Sequence, residues 1–136
     1  MLALLFALVS QTHASELCAP EHALRIHIGA QTFNVSVAAS PQERERGLSG
    51  APALAAESGM WFLLPMPDWH GFWMHGMNFP IDLVWVSPAR QVLGAITLQP
   101  CEGEYCRIHK PPSPVAYVLE INAGAFAGKT GDNVTW

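Results

Sequence analysis

The chain has 136 residues, of which 50% are hydrophobic and 13% are charged, and its formal net charge is −4 at pH 7. This length suits one domain with one core, and the composition excludes intrinsic disorder. The seven lysines and arginines form no cluster that would follow a phosphate backbone or bind an anionic membrane surface. We therefore expect no nucleic acid partner.

The first residues are typical of a secretory signal. Residues 1–9 are uninterruptedly apolar, the first charged side chain is Glu16, and small residues follow the apolar run. The run is shorter than the ~20 apolar residues that a membrane-spanning helix needs, although a buried first strand is an alternative. We predict a signal over residues 1–14 and an N-terminal extension over 15–23. The mature protein would then be exported, to the periplasm or beyond the cell, without a stable membrane anchor.

The three cysteines are candidates for disulfide bonds, because an exported chain meets an oxidising compartment. Cys101 and Cys106 have four residues between them in a proline-flanked stretch, where a short loop can bring the two sulfur atoms together. We predict a structural disulfide between them. Cys18 is left over, either as a free thiol or as the partner of a second chain.

The elements after residue 23 begin with a hairpin and a helix. Alternating apolar residues predict strands at 24–28 and 33–37, joined by a turn at Gly29-Ala30. Ser40, Pro41 and Glu43 then supply a capping side chain, a proline at the first helical position and a capping-box glutamate. One short helix is expected from about residue 41 to residue 48.

Dense glycine and proline residues in the remainder of the chain leave room only for short strands. Aromatic and β-branched runs predict six of them, at residues 60–64, 72–75, 81–87, 91–98, 115–121 and 133–136. Residues 99–114 are predicted to form a long irregular loop. The sequence thus predicts a single mainly β domain over 24–136: a small closed or partly open β-barrel or sandwich of about eight short strands with one short helix.

Three stretches carry a resemblance to a known family. They are Arg46-Gly47-Leu48 with Gly59-Met60-Trp61-Phe62, then Phe72-Trp73-Met74-His75-Gly76-Met77-Asn78-Phe79-Pro80-Ile81-Asp82, and then Tyr117-Val118-Leu119-Glu120 with Gly124 and Gly131-Asp132. In order and spacing they resemble the domain of unknown function 192 family, also called uncharacterised protein family 0127, over about residues 35–136. The resemblance implies a small β-rich fold, often exported, with no established activity.

Residues 66–77 concentrate side chains that bind soft metal ions. Thioether and imidazole groups are the ligands that Cu(I) selects, so His70, Met74, His75 and Met77 are candidate copper ligands. In a strand, Met74 and His75 point to opposite faces and bind one ion only if the chain turns at Gly76. The alternative is that the methionines fill gaps in the core and the histidines lie at the surface. We expect no cofactor, with copper as the alternative that these ligands suggest.

The tryptophans and one histidine of the same stretch are candidates for ligand contact. Trp69 lies where a ligand can reach it, and an exposed indole stacks on apolar faces of sugars and other ligands. Trp73 and His75 complete the candidate set. Because Trp73, like Trp61 and Trp85, falls in a predicted strand, its position favours the core.

Two acidic residues, Asp82 and Glu120, fall within apolar strands. Buried carboxylates are uncommon unless they are paired or hydrogen-bonded, so each is expected to have a partner. We expect that partner to be Arg46 or Arg25, or, for Asp82, backbone N–H groups near Pro80. A ligand-binding role for the two acids is one alternative, and a pair of carboxylates sharing the cleft of a hydrolase is another.

These observations predict a non-enzymatic module that binds an unidentified ligand or protein partner. Its binding face would combine residues 69–77 with the loop between the two paired cysteines. The chain has neither a Gly-x-Ser-x-Gly nucleophile elbow nor a Cys-x-x-Cys motif, so no catalytic residues are assigned. The alternatives are a Cu(I)-binding periplasmic protein and a carboxylate-dependent hydrolase.

Overall fold

The structure, a computed structural model, describes residues 23–136. The predicted secretory signal, nearly all of the predicted extension and Cys18 lie outside the described residues. The elements in chain order are β1 (Leu24–Ile28), β2 (Gln31–Ala38), α1 (Pro41–Arg46), β3 (Ser58–Asp68), β4 (Ile81–Val86), β5 (Val92–Leu98), β6 (Val115–Asn122) and β7 (Val134–Thr135). The predicted mainly β fold with one short helix is confirmed. In this part of the chain, no helix is long and apolar enough to cross a membrane.

The seven strands form one curled sheet, a half-barrel, in the order β5-β4-β6-β3-β2-β1-β7. Strands β2 and β3 are parallel, because α1 and the loop after it carry the chain back between them, and the other neighbours are antiparallel. The two ends of the sheet approach each other beside β7. There Asn133 forms a bridge with Gln91, and the Val134 N–H donates to the Arg90 carbonyl at 2.9 Å.

The local signals at the start of the domain act as predicted. Gly29 has a φ of 58° in the two-residue turn of the first hairpin, where Ile28 pairs with Gln31. The Ser40 hydroxyl accepts from the Glu43 N–H at 3.2 Å, and the Glu43 carboxylate accepts from the Ser40 N–H at 2.8 Å. The helix ends at Arg46, two residues earlier than predicted, because Gly47 leaves the helical region with a φ of 50°.

Both faces of the sheet are covered. The inner face of the curl carries one apolar cluster with members from all seven strands, among them Ile26, Phe33, Trp61, Val84, Val92, Leu119 and Val134. The outer face carries a second cluster, which includes Phe62, Leu83 and Val118 from strands and Leu48 and Met74 from loops. Strand β4 is therefore buried along its whole length. Irregular segments cover the outer face of the sheet, and the candidate site lies on this face.

The predicted strand at residues 72–75 is wrong. Phe72 forms only an isolated bridge with His109, and the chain then turns, with the Met77 N–H donating to the Met74 carbonyl at 3.2 Å. Gly76 allows this turn because it adopts a φ of 72°. As a consequence Trp73 is 51% exposed instead of buried in the core.

Two other predictions about side chains hold. Trp61 and Trp85 are buried, as their strand positions indicate. The disulfide between Cys101 and Cys106 is present, with the two Cα atoms 5.4 Å apart. It closes a short loop within the irregular stretch that follows β5.

Candidate functional site

The candidate site is a cavity on the outer face, roofed by two irregular segments. The first is the chain after α1, and the second is the turn at residues 74–77. The Ser49 hydroxyl donates to the His75 carbonyl at 2.6 Å, and the Gly50 N–H donates to the Gly76 carbonyl at 2.9 Å. An added Cβ at Gly76 would lie 3.2 Å from the Ser49 Cβ, so glycine permits this close approach. The two segments are thereby joined over the sheet.

We call the space beneath them the outer-face cavity. Its volume is about 230 Å³. Its apolar lining comes from the sheet and from both irregular segments, and consists of Leu48, Phe62, Leu64, Phe72, Trp73 and Met77. Its polar and charged lining consists of Arg44, Glu45, Arg46, Ser49, His70 and Glu120. An apolar enclosure with a few polar groups is the usual character of a small-molecule site.

Glu120 is the buried acid of this cavity. It lies in β6 between Met60 of β3 and Leu83 of β4, so its backbone is fixed by two neighbouring strands. Its side chain is 6% exposed. Within residues 23–136 no hydrogen-bond donor or cation contacts its carboxyl group. Oε2 would lie 3.9 Å from a Cβ added at Gly47, so the end of α1 reaches the carboxyl group.

Burial determines the charge of Glu120. Desolvation disfavours the ionised form and raises the pKa of the carboxyl group from 4.5 to about 8. At pH 7 the carboxyl group is therefore mostly protonated. In that form it both donates and accepts hydrogen bonds, and it becomes a carboxylate when a cation is brought beside it.

The two arginines of the cavity differ in their contacts. The Arg44 guanidinium donates to the carbonyl groups of Ala39 and Leu63, the second at 3.2 Å, and is held by the backbone. Arg46 is exposed and makes no hydrogen bond or ion pair with any described residue. Its guanidinium is therefore available at the rim. The expectation that Arg46 pairs with a buried acid is wrong.

Asp82 has a different environment. Its carboxylate accepts from the Thr97 hydroxyl at 2.6 Å and from the Phe126 N–H at 3.0 Å. These partners replace the arginine, or the N–H groups near Pro80, that the sequence suggested. They tie β4 to β5 and to the chain that follows β6, which is a structural role.

The strand register separates the two buried acids. Asp82 is opposite Ile121, whereas Glu120 is opposite Leu83, so the two carboxyl groups point to opposite faces of the sheet. They do not share a cleft. The geometry of a two-carboxylate hydrolase, which needs both acids on one side of the substrate bond, is not present here.

The four candidate copper ligands are divided among three environments. His70 and Met77 line the outer-face cavity, Met74 is buried in the outer cluster, and His75 is exposed. His70 Nε2 donates to the Met66 carbonyl at 2.7 Å. Residues 23–136 contain no group of three or more His, Cys, Asp or Glu side chains placed to hold a metal ion. Copper binding stays a prediction.

The aromatic segment of the predicted binding face, residues 69–77, pairs with the chain that follows the disulfide loop. Phe72 and His109 exchange two backbone hydrogen bonds of 2.9 and 2.7 Å, which brings the chain after the disulfide loop next to the aromatic segment. A shallow groove follows, lined by Trp69, Trp73 and Ile108, each more than half exposed. Trp73 also lines the outer-face cavity, and its ring centroid is 5.4 Å from that of His75. Trp73 therefore forms the wall between groove and cavity.

Sequence reasoning missed the part of the cavity that α1 supplies. No sequence pattern marks Arg44 as a residue of the cavity, because its place in the cavity lining depends on where the helix ends. The stretch Arg46-Gly47-Leu48 does carry a signal, since it belongs to the motifs of the family resemblance. Glycine suits position 47 because its φ is 50°, and an added Cβ would also lie 3.3 Å from the Phe62 ring.

The comparisons with known proteins agree with this fold. A protein of unknown function from Novosphingobium aromaticivorans is 27% identical with a TM-score of 0.76, over 94% of this chain and 100% of its own. A protein from Sinorhizobium meliloti, described as a candidate transcription regulator, is 24% identical with a TM-score of 0.73, over 86% of this chain and 97% of its own. This second likeness shows the fold alone. No match was found among curated proteins.

The family is shown by a match over most of the chain. The family model described as uncharacterized ACR, DUF192, covers residues 24–136. This range contains every strand that the structure describes, the outer-face cavity, Asp82 and Glu120. The chain belongs to the DUF192 family.

Proposed function

We propose that this domain is a non-enzymatic binding module whose ligand enters the outer-face cavity. The observation that carries the proposal is the buried Glu120 carboxyl group, which has no partner among the described residues. A ligand that brings hydrogen-bond donors or a cation to this carboxyl group gains a direct interaction that no described residue provides.

The surroundings of Glu120 support a binding role. The acid lies on a strand that is paired on both sides, which holds it in place before the ligand arrives. Trp73 separates the cavity from the groove that Trp69 and Ile108 line. Half-exposed tryptophans beside a cavity offer apolar area for a ligand or for a protein segment that presents one.

Catalysis is not part of the proposal. The second buried acid, Asp82, is on the other face of the sheet and its oxygens are already occupied. Export to an oxidising compartment is part of it. The disulfide between Cys101 and Cys106 and the predicted signal over residues 1–14 support that location.

The test is an NMR titration of the ¹⁵N-labelled protein with 2-phenylethylamine, 2-phenylethanol and phenylacetate, three small probes of similar size. We expect at least one probe to shift the amide signals around Glu120 and Trp73. Met77→Trp fills the cavity and is expected to abolish these shifts. Thr32→Trp places the same side chain on an exposed position of β2, away from the cavity, and is expected to leave them unchanged. Shifts that survive Met77→Trp, or no shifts with any probe, would contradict the proposal.

Cu(I) binding is a second candidate, and one observation favours it. His70 and Met77 line the same cavity, which places an imidazole and a thioether near each other. In an anaerobic Cu(I) competition titration, this candidate predicts one-to-one binding that is lost in His70→Ala/Met77→Ala and kept in His75→Ala. Equal binding by all three proteins, or none by the wild type, would reject it.

A further inference from the structure

We infer, on the basis of the proposed function, that the ligand is a small primary amine with an apolar body, whose ammonium group docks against Glu120. The observation behind it is the combination of an unpartnered buried carboxyl group with aromatic walls in a cavity of limited size. Each of these features selects a part of the ligand.

The carboxyl group selects the ammonium. An ammonium offers three N–H donors and a charge opposite to that of a carboxylate, and such charge-assisted hydrogen bonds are about twice as strong as neutral ones. A buried carboxylate is stable only when a cation or several donors accompany it. A neutral alcohol supplies one weaker hydrogen bond. An anionic group would have to bind beside an acid that must then keep its proton.

The walls select the apolar body. Phe62 and Phe72 meet edge to face with their ring centroids 5.4 Å apart, and Trp73 forms the wall toward the groove. Aromatic faces attract a cation as well as apolar groups. The volume of about 230 Å³ is below the roughly 300–1,000 Å³ of pockets for drug-sized ligands, so the ligand is of fragment size.

The other charged and titratable groups that line the cavity do not act as the partner of Glu120 in place of a ligand. The Arg44 guanidinium is held by two backbone carbonyl groups, and His70 donates through Nε2 to the Met66 carbonyl. Glu45 and Arg46 are exposed at the rim and have opposite charges that water screens.

Binding of the ammonium includes a proton step. In the free protein at pH 7 the carboxyl group is mostly protonated, because burial raises the pKa of Glu120 to about 8. A primary amine is protonated at this pH. When the ammonium docks, the Glu120 O–H bond breaks, the proton leaves to the buffer, and a carboxylate paired with the ammonium remains. Close to one proton is released for each ligand bound.

The experiment is isothermal titration calorimetry at pH 7 in two buffers of different ionisation enthalpy, with the three probes named above. We expect 2-phenylethylamine to bind about tenfold more tightly than 2-phenylethanol and to release close to one proton. Glu120→Gln is expected to weaken the amine about tenfold, to abolish the proton release and to leave the alcohol within about twofold. Glu104→Gln, the same change at an exposed acid of the disulfide loop that does not line the cavity, is expected to alter the amine affinity by less than about twofold.

The outcomes separate this inference from the proposed function. If phenylacetate or the alcohol binds more tightly than the amine, or if Glu120→Gln binds the amine as the wild type does, the ligand class is wrong while the cavity remains a binding site. If no probe binds the wild-type protein, both the ligand class and the proposed function fail. The NMR spectrum of Glu120→Gln verifies that the variant is folded.

Discussion

Asp82 and Glu120 are two buried acids on neighbouring strands of the same sheet, and they differ in what their carboxyl groups contact. Asp82 accepts two hydrogen bonds from the protein, whereas Glu120 receives none from the described residues and faces a cavity. Their exposures are almost equal, 5% and 6%. Burial alone therefore does not distinguish a structural acid from a candidate ligand-binding acid, but the count of satisfied hydrogen bonds does.

The difference follows from what covers each face of the sheet. On the side of Asp82, the neighbouring strand and the chain after β6 bring a hydroxyl and an N–H group directly to the carboxylate. On the side of Glu120, the cover consists of loops that bond to each other through Ser49 and Gly50 rather than to the acid. The Glu120 carboxyl group therefore faces the outer-face cavity without a partner among the described residues.

The largest expected effect is the pH dependence that Glu120 confers on stability. The folded state keeps a proton that the unfolded chain releases near pH 4.5, since burial raises the folded pKa to about 8. This contribution to the free energy of unfolding is fully present below pH 4.5, is lost as the pH rises, and is absent above about pH 8. Between pH 5 and 8 the loss is about 4 kcal/mol, from about 1.4 kcal/mol for each pH unit.

Urea denaturation of the wild type and Glu120→Gln at several pH values checks this. The free energy of unfolding of the wild type, relative to that of Glu120→Gln, should fall by about 4 kcal/mol between pH 5 and 8, because glutamine does not titrate. Glu45→Gln should follow the wild type throughout. A constant difference between the wild type and Glu120→Gln would show that Glu120 is ionised in the folded protein, and the contrast with Asp82 would then be lost.

Removing the structural acid is the next effect in size. Asp82→Ala leaves the Thr97 hydroxyl and the Phe126 N–H without their acceptor, and should lower the free energy of unfolding by about 3 kcal/mol at pH 7. Thr97→Val removes only one of the donors and should cost about 1 kcal/mol. Both values come from urea denaturation. If Asp82→Ala were as stable as the wild type, the structural assignment would be wrong.

The smallest expected effect concerns the tryptophan at the wall of the cavity. Trp73→Ala should lower the free energy of unfolding by about 1 kcal/mol or less, because the side chain is 51% exposed and only its remaining surface is packed. Trp61→Ala, at a fully buried position of the inner cluster, should cost about 3–5 kcal/mol. Thermal or urea denaturation compares the two. A cost above about 2 kcal/mol for Trp73→Ala would place this side chain in the core instead of at a binding surface.

The sequence predicted those parts of the fold that local chemistry determines. The hairpin around Gly29, the capping box of Ser40 and Glu43, and the disulfide of Cys101 and Cys106 depend on neighbouring residues or short spacings. It also predicted that Asp82 and Glu120 are buried, because each lies in an apolar strand.

The sequence could not predict what depends on contacts between distant segments. Residues 72–75 have the composition of a strand, but their partner is a single bridge to His109, and the turn at Gly76 ends any further pairing. The partner of Asp82 includes a backbone N–H group of Phe126, which carries no side-chain signal. The cavity itself forms where the end of α1 meets a segment about 26 residues later, as the bond between Ser49 and His75 shows.

The most direct test of the account is an NMR titration of the side-chain carboxyl carbons in protein labelled with ¹³C-glutamate. Comparison with Glu120→Gln assigns the signal of Glu120. We predict that this carbon titrates near pH 8 and that its pKa falls when 2-phenylethylamine is bound, since the ammonium stabilises the carboxylate. A Glu120 signal that titrates near pH 4.5 in the free protein, and does not respond to the amine, would contradict the claim that a neutral, unpartnered acid awaits a ligand in the outer-face cavity.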